Sequence, residues 1–358
     1  MIYQHTDFFK NEDNFAKTAH IPSIPIFESK LDYIPEITIA IPTYKRANLL
    51  KEALESAINQ IDYTNYDIIV VDNNPERGCE TEKLMILYSN NSMISYYKNA
   101  DNLGMTGNWN RLFTLAKGKY VVMLHDDDVL EPIYLITLNQ FLKKASKRPD
   151  AVFVQYTIFK KKDDIVNKTI IKNISSLYSI NIKQYDFLFG CIVTFFGGCF
   201  NRKTVLNLGG FSENFYPSLD YEFFVRICRQ GYCISLSGHP LVKYRILNNE
   251  SMKASTLINS MIMDKRIKQN ILSNNLNYLS ILFKSVFIVS SYNYLRHQSI
   301  LFGVIDKEMD ENIAKIKRQI TFIDKIIYFF IIRVQSLILK FRRHKISLMS
   351  TKNQWNCL

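Results

Sequence analysis

The six cysteines (79, 191, 199, 228, 233 and 357) contain no C-x-x-C pair. Residues 1–20 are polar and charged, so no secretory leader is read there. Together these absences predict a reduced, cytosolic protein whose cysteines mostly fill the core. No apolar run reaches the roughly 20 residues that a membrane-crossing helix requires. The nearest approach, Ile326 to Phe341, is broken by Arg333 and Lys340 and preceded by Asp324 and Lys325. No nucleic-acid-binding motif is present. Pro42-Thr-Tyr-Lys-Arg46 contains no glycine, which counts against the glycine-rich phosphate loop of a metal-dependent nucleotidyltransferase.

What is present points to one site. A chain of 358 residues makes one large or two smaller domains, and 47% apolar residues suffice for a core. Lys and Arg number 45 against 33 acids, a net charge of +12 that suits an anionic partner. Tyr120 to Leu124 is an apolar run of buried-strand length, and it ends in His125-Asp126-Asp127-Asp128. Three adjacent carboxylates repel one another unless something positive joins them. A hard divalent cation with oxygen ligands does so, and such a cation commonly also binds phosphates. Taken alone, the same residues also suit a solvated turn capping a helix opened by Pro132. A non-catalytic basic protein would explain the charge but not the carboxylates.

The surrounding pattern decides between these readings. Residues 1–35, with Pro22, Pro25 and Pro35, show no clear period and read as an extension that packs over the domain or stays loose. Strands are expected at Ile37–Ile41, Asp67–Val71, Ile94–Tyr97 and Tyr120–Leu124. Helices are expected from Leu49 to Ile58, from Glu80 to Leu87 and from Asn108 to Ala116. This alternation predicts a parallel sheet in an α/β domain, where ligands sit beyond the carboxyl ends of the strands. Polar residues cluster at those ends: Thr43, Tyr44, Lys45 and Arg46; Asp72 and Asn73; Asn102 and Asn108; Asp126, Asp127 and Asp128.

The segments Ile-Pro-Thr-Tyr-Lys-Arg, Val-Val-Asp-Asn-Asn, Asn-Leu-Gly and Lys-Gly-Lys-Tyr-Val-Val-Met-Leu-His-Asp-Asp-Asp, in that order, resemble the GT-A glycosyltransferases of family 2. The resemblance covers about residues 36–250. It implies a Rossmann-like GT-A domain over 36–254, with a nucleotide-binding half (36–132) and an acceptor-binding half (133–254). An N-terminal extension (1–35) and a helical C-terminal region (255–358) flank it. It further implies Asp127 as principal metal ligand, with Asp128 as the alternative, holding Mn2+ or Mg2+ on the donor diphosphate, while Asp126 turns towards the ribose. Pro42, Thr43, Tyr44 and Arg46 would cradle the nucleotide, with Asn102 and Asn108 close by. Asp72 and Asn73 would read a pyrimidine, although Asn73 stands where the family often has Asp. Arg245 falls in a closing segment, Tyr244-Arg245 with Asn248-Asn249-Glu250-Ser251, that meets the diphosphate.

For the base, Ser218-Leu-Asp220-Tyr-Glu222 resembles the region that carries a Glu-Asp pair in the family. Asp220 matches the Asp, Leu219 replaces the Glu, and Glu222 is the fallback. The implied activity is inverting transfer of a hexose or N-acetylhexosamine from a UDP-sugar to a saccharide acceptor of lipopolysaccharide, O-antigen or capsule assembly. His125 stands where an Asp is common and is expected to face the nucleotide or steady the turn. Beyond residue 255 the family motifs end. There Arg333, Ser336, Lys340 and Arg343 share one helical face, while Ile327, Phe330, Ile331, Val334, Leu337, Ile338 and Phe341 share the other. That is the pattern of a helix lying on an anionic, cytoplasmic membrane face or packed on the domain.

Overall fold

The computed structural model describes residues 8–160, 177–247, 252–273 and 279–346. Four parallel strands form the nucleotide half: β2 (Ile37–Thr43), β3 (Tyr66–Asp72), β4 (Ile94–Asn99) and β5 (Tyr120–Met123). They are joined by α1 (Ala47–Ile58), α2 (Glu80–Ile86) and α3 (Gly104–Leu115). Alternation along each strand assigns side chains to two layers. Ile39, Ile41, Ile68, Val70 and Val122 enter one apolar cluster. Ala40, Ile69, Val71, Val121 and Met123 enter the other. Both faces are covered, which is why these strands read as continuous apolar runs.

The extension is not loose. β1 (Ser23–Phe27) pairs antiparallel with β4 and forms one edge of the main sheet, Phe9 enters the core, and Asn14 donates to the Gly209 carbonyl from its backbone (3.0 Å) and its side chain (3.1 Å). Gly209 adopts φ +80°, and a Cβ there would sit 2.0 Å from the Glu12 carbonyl oxygen, so only glycine admits this approach.

In the second half the sheet becomes mixed. β6 (Val129–Leu130) and α4 (Tyr134–Lys144) precede β7 (Ala151–Phe153), β8 (Tyr156–Phe159) and β9 (Leu177–Ile182). Then come β10 (Cys199–Asn201), α5 (Arg202–Asn207), α6 (Leu219–Gln230), β11 (Cys233–Ser237) and β12 (Val242–Arg245). β10 runs antiparallel between β5 and β7, while β6, β12 and β8 make a small separate sheet beside the acidic turn.

The C-terminal region comprises α7 (Ala254–Ser273), α8 (Ser280–Phe302), α9 (Lys307–Gln319) and α10 (Phe322–Phe341), followed by β13 (Arg343–Ile346). This region is helical as expected, but its last strand pairs antiparallel with β9 and closes the main sheet at ten strands among the described residues. The C-terminal helices join the main core through Ile267, Ile271, Phe283 and Val286, and form a smaller cluster of their own around Leu257, Ile258, Leu295 and Met309. Of the described cysteines, Cys199, Cys228 and Cys233 are buried as expected, but Cys191 is exposed and Cys79 only partly buried. Among the described residues no helix is long and apolar enough to cross a membrane.

Candidate active site

β5 ends at Met123, and the next four residues turn across the carboxyl ends of the sheet. Thr43, at the end of β2, donates its hydroxyl to Asp126 Oδ2 at 2.8 Å. Arg46 Nη1 lies 2.9 Å from Asp127 Oδ2 and 3.4 Å from Asp126 Oδ1. From the opposite side, Arg245 on β12 donates its backbone N–H to Asp128 Oδ1 (3.0 Å) and its Nε to the Asp127 carbonyl (2.8 Å). Its guanidinium lies over the Phe159 ring and pairs with Glu52. Burial, then the charge of Asp127, pushes the Asp126 carboxyl up to about 6 against the pull of Arg46. Burial and Asp127 also push Asp128 well above its ordinary value. Like charges in a dry turn raise one another in this way.

The donor set fits a divalent ion. His125, Asp127 and Asp128 each offer a ligand atom, and these atoms lie within 4.8 Å of one another. His125 Nε2 and Asp128 Oδ2 are buried without a hydrogen-bond partner, and Asp128 Oδ2 lies 3.7 Å from His125 Nδ1. A buried polar atom left unpartnered is costly, so this pair fits a site that takes a ligand. His125 is the member that sequence reasoning did not assign to the metal. The signal was its place at the head of the carboxylate run, on a ring wedged between Trp109 (5.6 Å) and Phe195 (5.6 Å).

The neighbouring strand end is built differently. Asp72 is fully buried and accepts from Tyr96 Oη (2.9 Å), Lys98 Nζ (2.8 Å) and the Asn74 N–H (2.9 Å). Asn73 donates to Asn102 (2.6 Å) and the Gly104 carbonyl, and accepts from Asn99 and the Leu103 N–H. Asn108 is buried, bridging Asn99 and the Val71 carbonyl. The expected base-reading side chains Asp72 and Asn73 are thus engaged inside the protein. The Asp72–Lys98 pair (2.8 Å) offsets the cost of burying both charges, so breaking it would leave a charge stranded in the interior. Pro42 is half-buried and Tyr44 exposed at the end of β2.

Asp220 lies in the first turn of α6, where the helix dipole favours a negative charge. Its Oδ1 accepts the Tyr221 N–H at 2.8 Å, and burial raises its carboxyl to about 6. The fallback, Glu222, is buried and paired with Arg226. Both its oxygens are taken by buried Arg226, which also donates to the Leu208 and Gly210 carbonyls. Glu222 and Arg226 together tie α6 to the Gly-Gly turn. The loop from Cys191 to Gly198 connects the two centres: Phe195 packs on His125 at one end and on Phe224 of α6 (6.3 Å) at the other. Asn248 to Ser251 lie outside the described residues.

A mixed α/β sheet with a carboxylate turn at the end of its central strand, extended by a helical C-terminal region, is a GT-A architecture. The chain carries a domain of glycosyl transferase family 2, whose sequence profile matches residues 38–206. An uncharacterised glycosyltransferase of Methanocaldococcus jannaschii is 27% identical over 61% of this chain and 73% of its own length. A Campylobacter jejuni GalNAc(5)-diNAcBac-PP-undecaprenol beta-1,3-glucosyltransferase is 30% identical over 51% of this chain and 57% of its own. The chain spans only 32% of a Rickettsia felis relative that is 26% identical over 55% of this chain. The crystal structure of S. aureus TarS 1-349 superposes with a TM-score of 0.54 at 14% identity, covering 78% of each chain. That likeness concerns the fold.

Proposed function

We propose that the chain is a metal-dependent, inverting glycosyltransferase that moves a hexose or N-acetylhexosamine from a UDP-sugar to a saccharide acceptor. The observation that carries this reading is the unpartnered pair, His125 Nε2 and Asp128 Oδ2, inside a carboxylate turn at the ends of parallel strands. His125, Asp127 and Asp128 would hold Mn2+ or Mg2+. When bound, that ion neutralises the diphosphate as it leaves. Thr43 fixes the Asp126 carboxylate towards the ribose side, and Arg46 stands ready to move from Asp127 onto a phosphate oxygen. Pro42, Tyr44, Asn102, Asn108 and Arg245 line or support the nucleotide cleft. Asp220 accepts the proton of the acceptor hydroxyl as its oxygen attacks the anomeric carbon from the face opposite the diphosphate. A carboxyl that titrates near 6 is ionised at neutral pH yet basic enough for this task.

The acceptor is read as a lipid-linked saccharide of surface-polysaccharide assembly, at the inner face of the cell membrane. The Campylobacter relative, named for a transfer involving a PP-undecaprenol-linked saccharide, supports this acceptor class. The exposed apolar and basic face of α10 supports the location. Incubation with a panel of sugar nucleotides and Mn2+, following nucleoside diphosphate release, tests the whole reading. Release from a UDP-hexose or UDP-N-acetylhexosamine, abolished by EDTA, is expected. Pyrophosphate release instead would mark a nucleotidyltransferase, and no release from any donor would mark a non-catalytic binding protein.

A further inference from the structure

Beside the acidic turn, the small sheet of β6, β12 and β8 carries a partly exposed aromatic corner. β8 pairs parallel with β12, placing Tyr156 opposite Val242 and Ile158 opposite Tyr244. These four side chains therefore share one face, while Lys243 and Arg245 alternate to the other. On the shared face the Phe196 ring stacks on Tyr244 (4.6 Å, 16°). Tyr156 stands nearly perpendicular to both rings, 4.9 Å from Phe196 and 5.9 Å from Tyr244. Tyr156 is 40% exposed and Ile158 46%. The loop that carries Phe196 is pinned from behind: the Gly197 N–H donates to the Met123 carbonyl (2.7 Å), and the Gly197 carbonyl accepts from the buried Tyr134 hydroxyl (2.6 Å). Gly197 adopts φ +68°, and a Cβ there would meet Val242 Cγ2 at 2.2 Å, so glycine lets the loop lie this close to the sheet. At its inner end the corner meets the candidate active site, with Phe196 6.4 Å from the His125 ring.

We propose that Tyr156, Phe196 and Tyr244 form an acceptor subsite that holds a neutral hexopyranose ring by stacking. The inference rests on the reading of the chain as a glycosyltransferase and adds where its acceptor lies. A pyranose offers faces lined by C–H groups and a rim of hydroxyls. The rings supply flat apolar area at small conformational cost, and the tyrosine hydroxyls supply polar edges. Small-molecule sites are commonly built this way, mostly apolar and aromatic with a few polar groups. None of the four side chains on this face of β8 and β12 is charged, whereas Arg46 and Arg245 gather beside the carboxylates. The face therefore suits an uncharged sugar rather than a diphosphate or an anionic headgroup. Its pinned loop presents the rings already in place, which lowers the cost of binding.

Saturation-transfer difference NMR on the full chain reads the subsite without any turnover. The probes are the methyl β-glycosides of glucose, N-acetylglucosamine and N-acetylgalactosamine. Saturation should reach the ring C–H protons of at least one glycoside in the wild type and in Tyr156→Phe, which keeps the ring. It should fall several-fold in Tyr156→Ala, whose side chain is lost from an exposed position. With the bound glycoside as acceptor, Tyr156→Ala should raise the acceptor KM about tenfold while the donor KM holds, a loss typical of a tyrosine anchor. A folded Tyr156→Ala protein with undiminished saturation and an unchanged acceptor KM overturns the proposal, as does a wild type that transfers saturation to none of the three probes. A variant that alters only self-association in sedimentation also overturns it and assigns the corner to a second copy of the chain. Tyr156-dependent saturation in a chain that releases no nucleoside diphosphate from any sugar nucleotide would keep the saccharide-binding face and sink the transferase reading instead.

Discussion

Two adjacent strand ends carry similar chemistry and use it in opposite ways. At the end of β3, Asp72 and Asn73 meet Lys98, Tyr96, Asn99 and Asn102 in a closed network. At the end of β5, Asp127 and Asp128 meet Arg46 and Arg245, but Asp128 Oδ2 and His125 Nε2 have no hydrogen-bond partner. Both clusters are buried, both contain carboxylates, and both lie where ligands bind in parallel sheets. Residue type therefore does not separate scaffold from site here. The completeness of the hydrogen-bond account does, because a closed network stabilises the fold while an open one keeps capacity for a ligand.

The largest effect expected from this contrast is at the open end. Asp127→Ala should abolish nucleoside diphosphate release and leave thermal unfolding almost unchanged, and EDTA should mimic it. Full activity in EDTA would reduce the turn to a capping device. Next comes the base: Asp220→Asn keeps the size and loses the proton acceptor, so turnover should fall about 10²–10⁴-fold while donor binding holds. The closed end should behave in reverse. Asp72→Ala leaves buried Lys98 with only the more distant Glu82 carboxylate (3.9 Å), which should lower the free energy of unfolding by about 3 kcal/mol in chemical denaturation. A stable Asp72→Ala protein that had lost only uridine binding would erase the distinction between the two ends.

The pH profile offers a gentler check on the acceptor side. Asp220 is active as the ionised base and its carboxyl sits near 6, above the ordinary value for Asp. Activity should hold above pH 7 and fall about tenfold per unit below pH 6. A plateau extending to pH 4 would mean that the base titrates normally or is another group.

Much of the frame was legible because its signals are local. The runs at Ile37, Asp67, Ile94 and Tyr120 announced β2 to β5 within a few residues, since strands buried on both faces leave continuous apolar text. The turn at Asp126 to Asp128 stood out for the same reason: three adjacent carboxylates have few structural uses. What stayed hidden depends on distant pairings. The register of β1 on β4 and of β13 on β9 left no period in residues 1–35 or beyond 340. The internal use of Asp72 and Asn73 needed Lys98 and Asn99, whose direction a sequence does not record.

The same contrast between closed and open faces recurs on α10, with the smallest expected effect. Its inward stripe is partnered: Tyr328 and Ile331 pack on the core, Gln335 donates to the Asp186 carbonyl, and Arg342 pairs with Asp186. Ile331 thus faces the core, while Phe330, Val334, Leu337 and Phe341, which share its apolar face in the sequence pattern, are exposed. The sole acid of the helix, Asp324, is bound to Ser285 and Thr321. The outward side exposes Phe322, Phe329, Phe330, Val334, Leu337 and Phe341, interspersed with Lys325, Arg333 and Lys340. Apolar groups with only positive charges among them suit anionic headgroups over acyl chains. The full chain should therefore sediment with vesicles containing anionic lipid in low salt. Arg333→Glu with Lys340→Glu should weaken that binding at least tenfold, since each basic residue near such a surface contributes about 1 kcal/mol. Phe330→Ser with Leu337→Ser should weaken it in high salt as well, because apolar insertion is not screened. Both pairs of side chains are exposed, so neither change should disturb folding. A wild-type chain that ignores the vesicles while these substitutions alter its self-association would assign the face to a second copy of the protein.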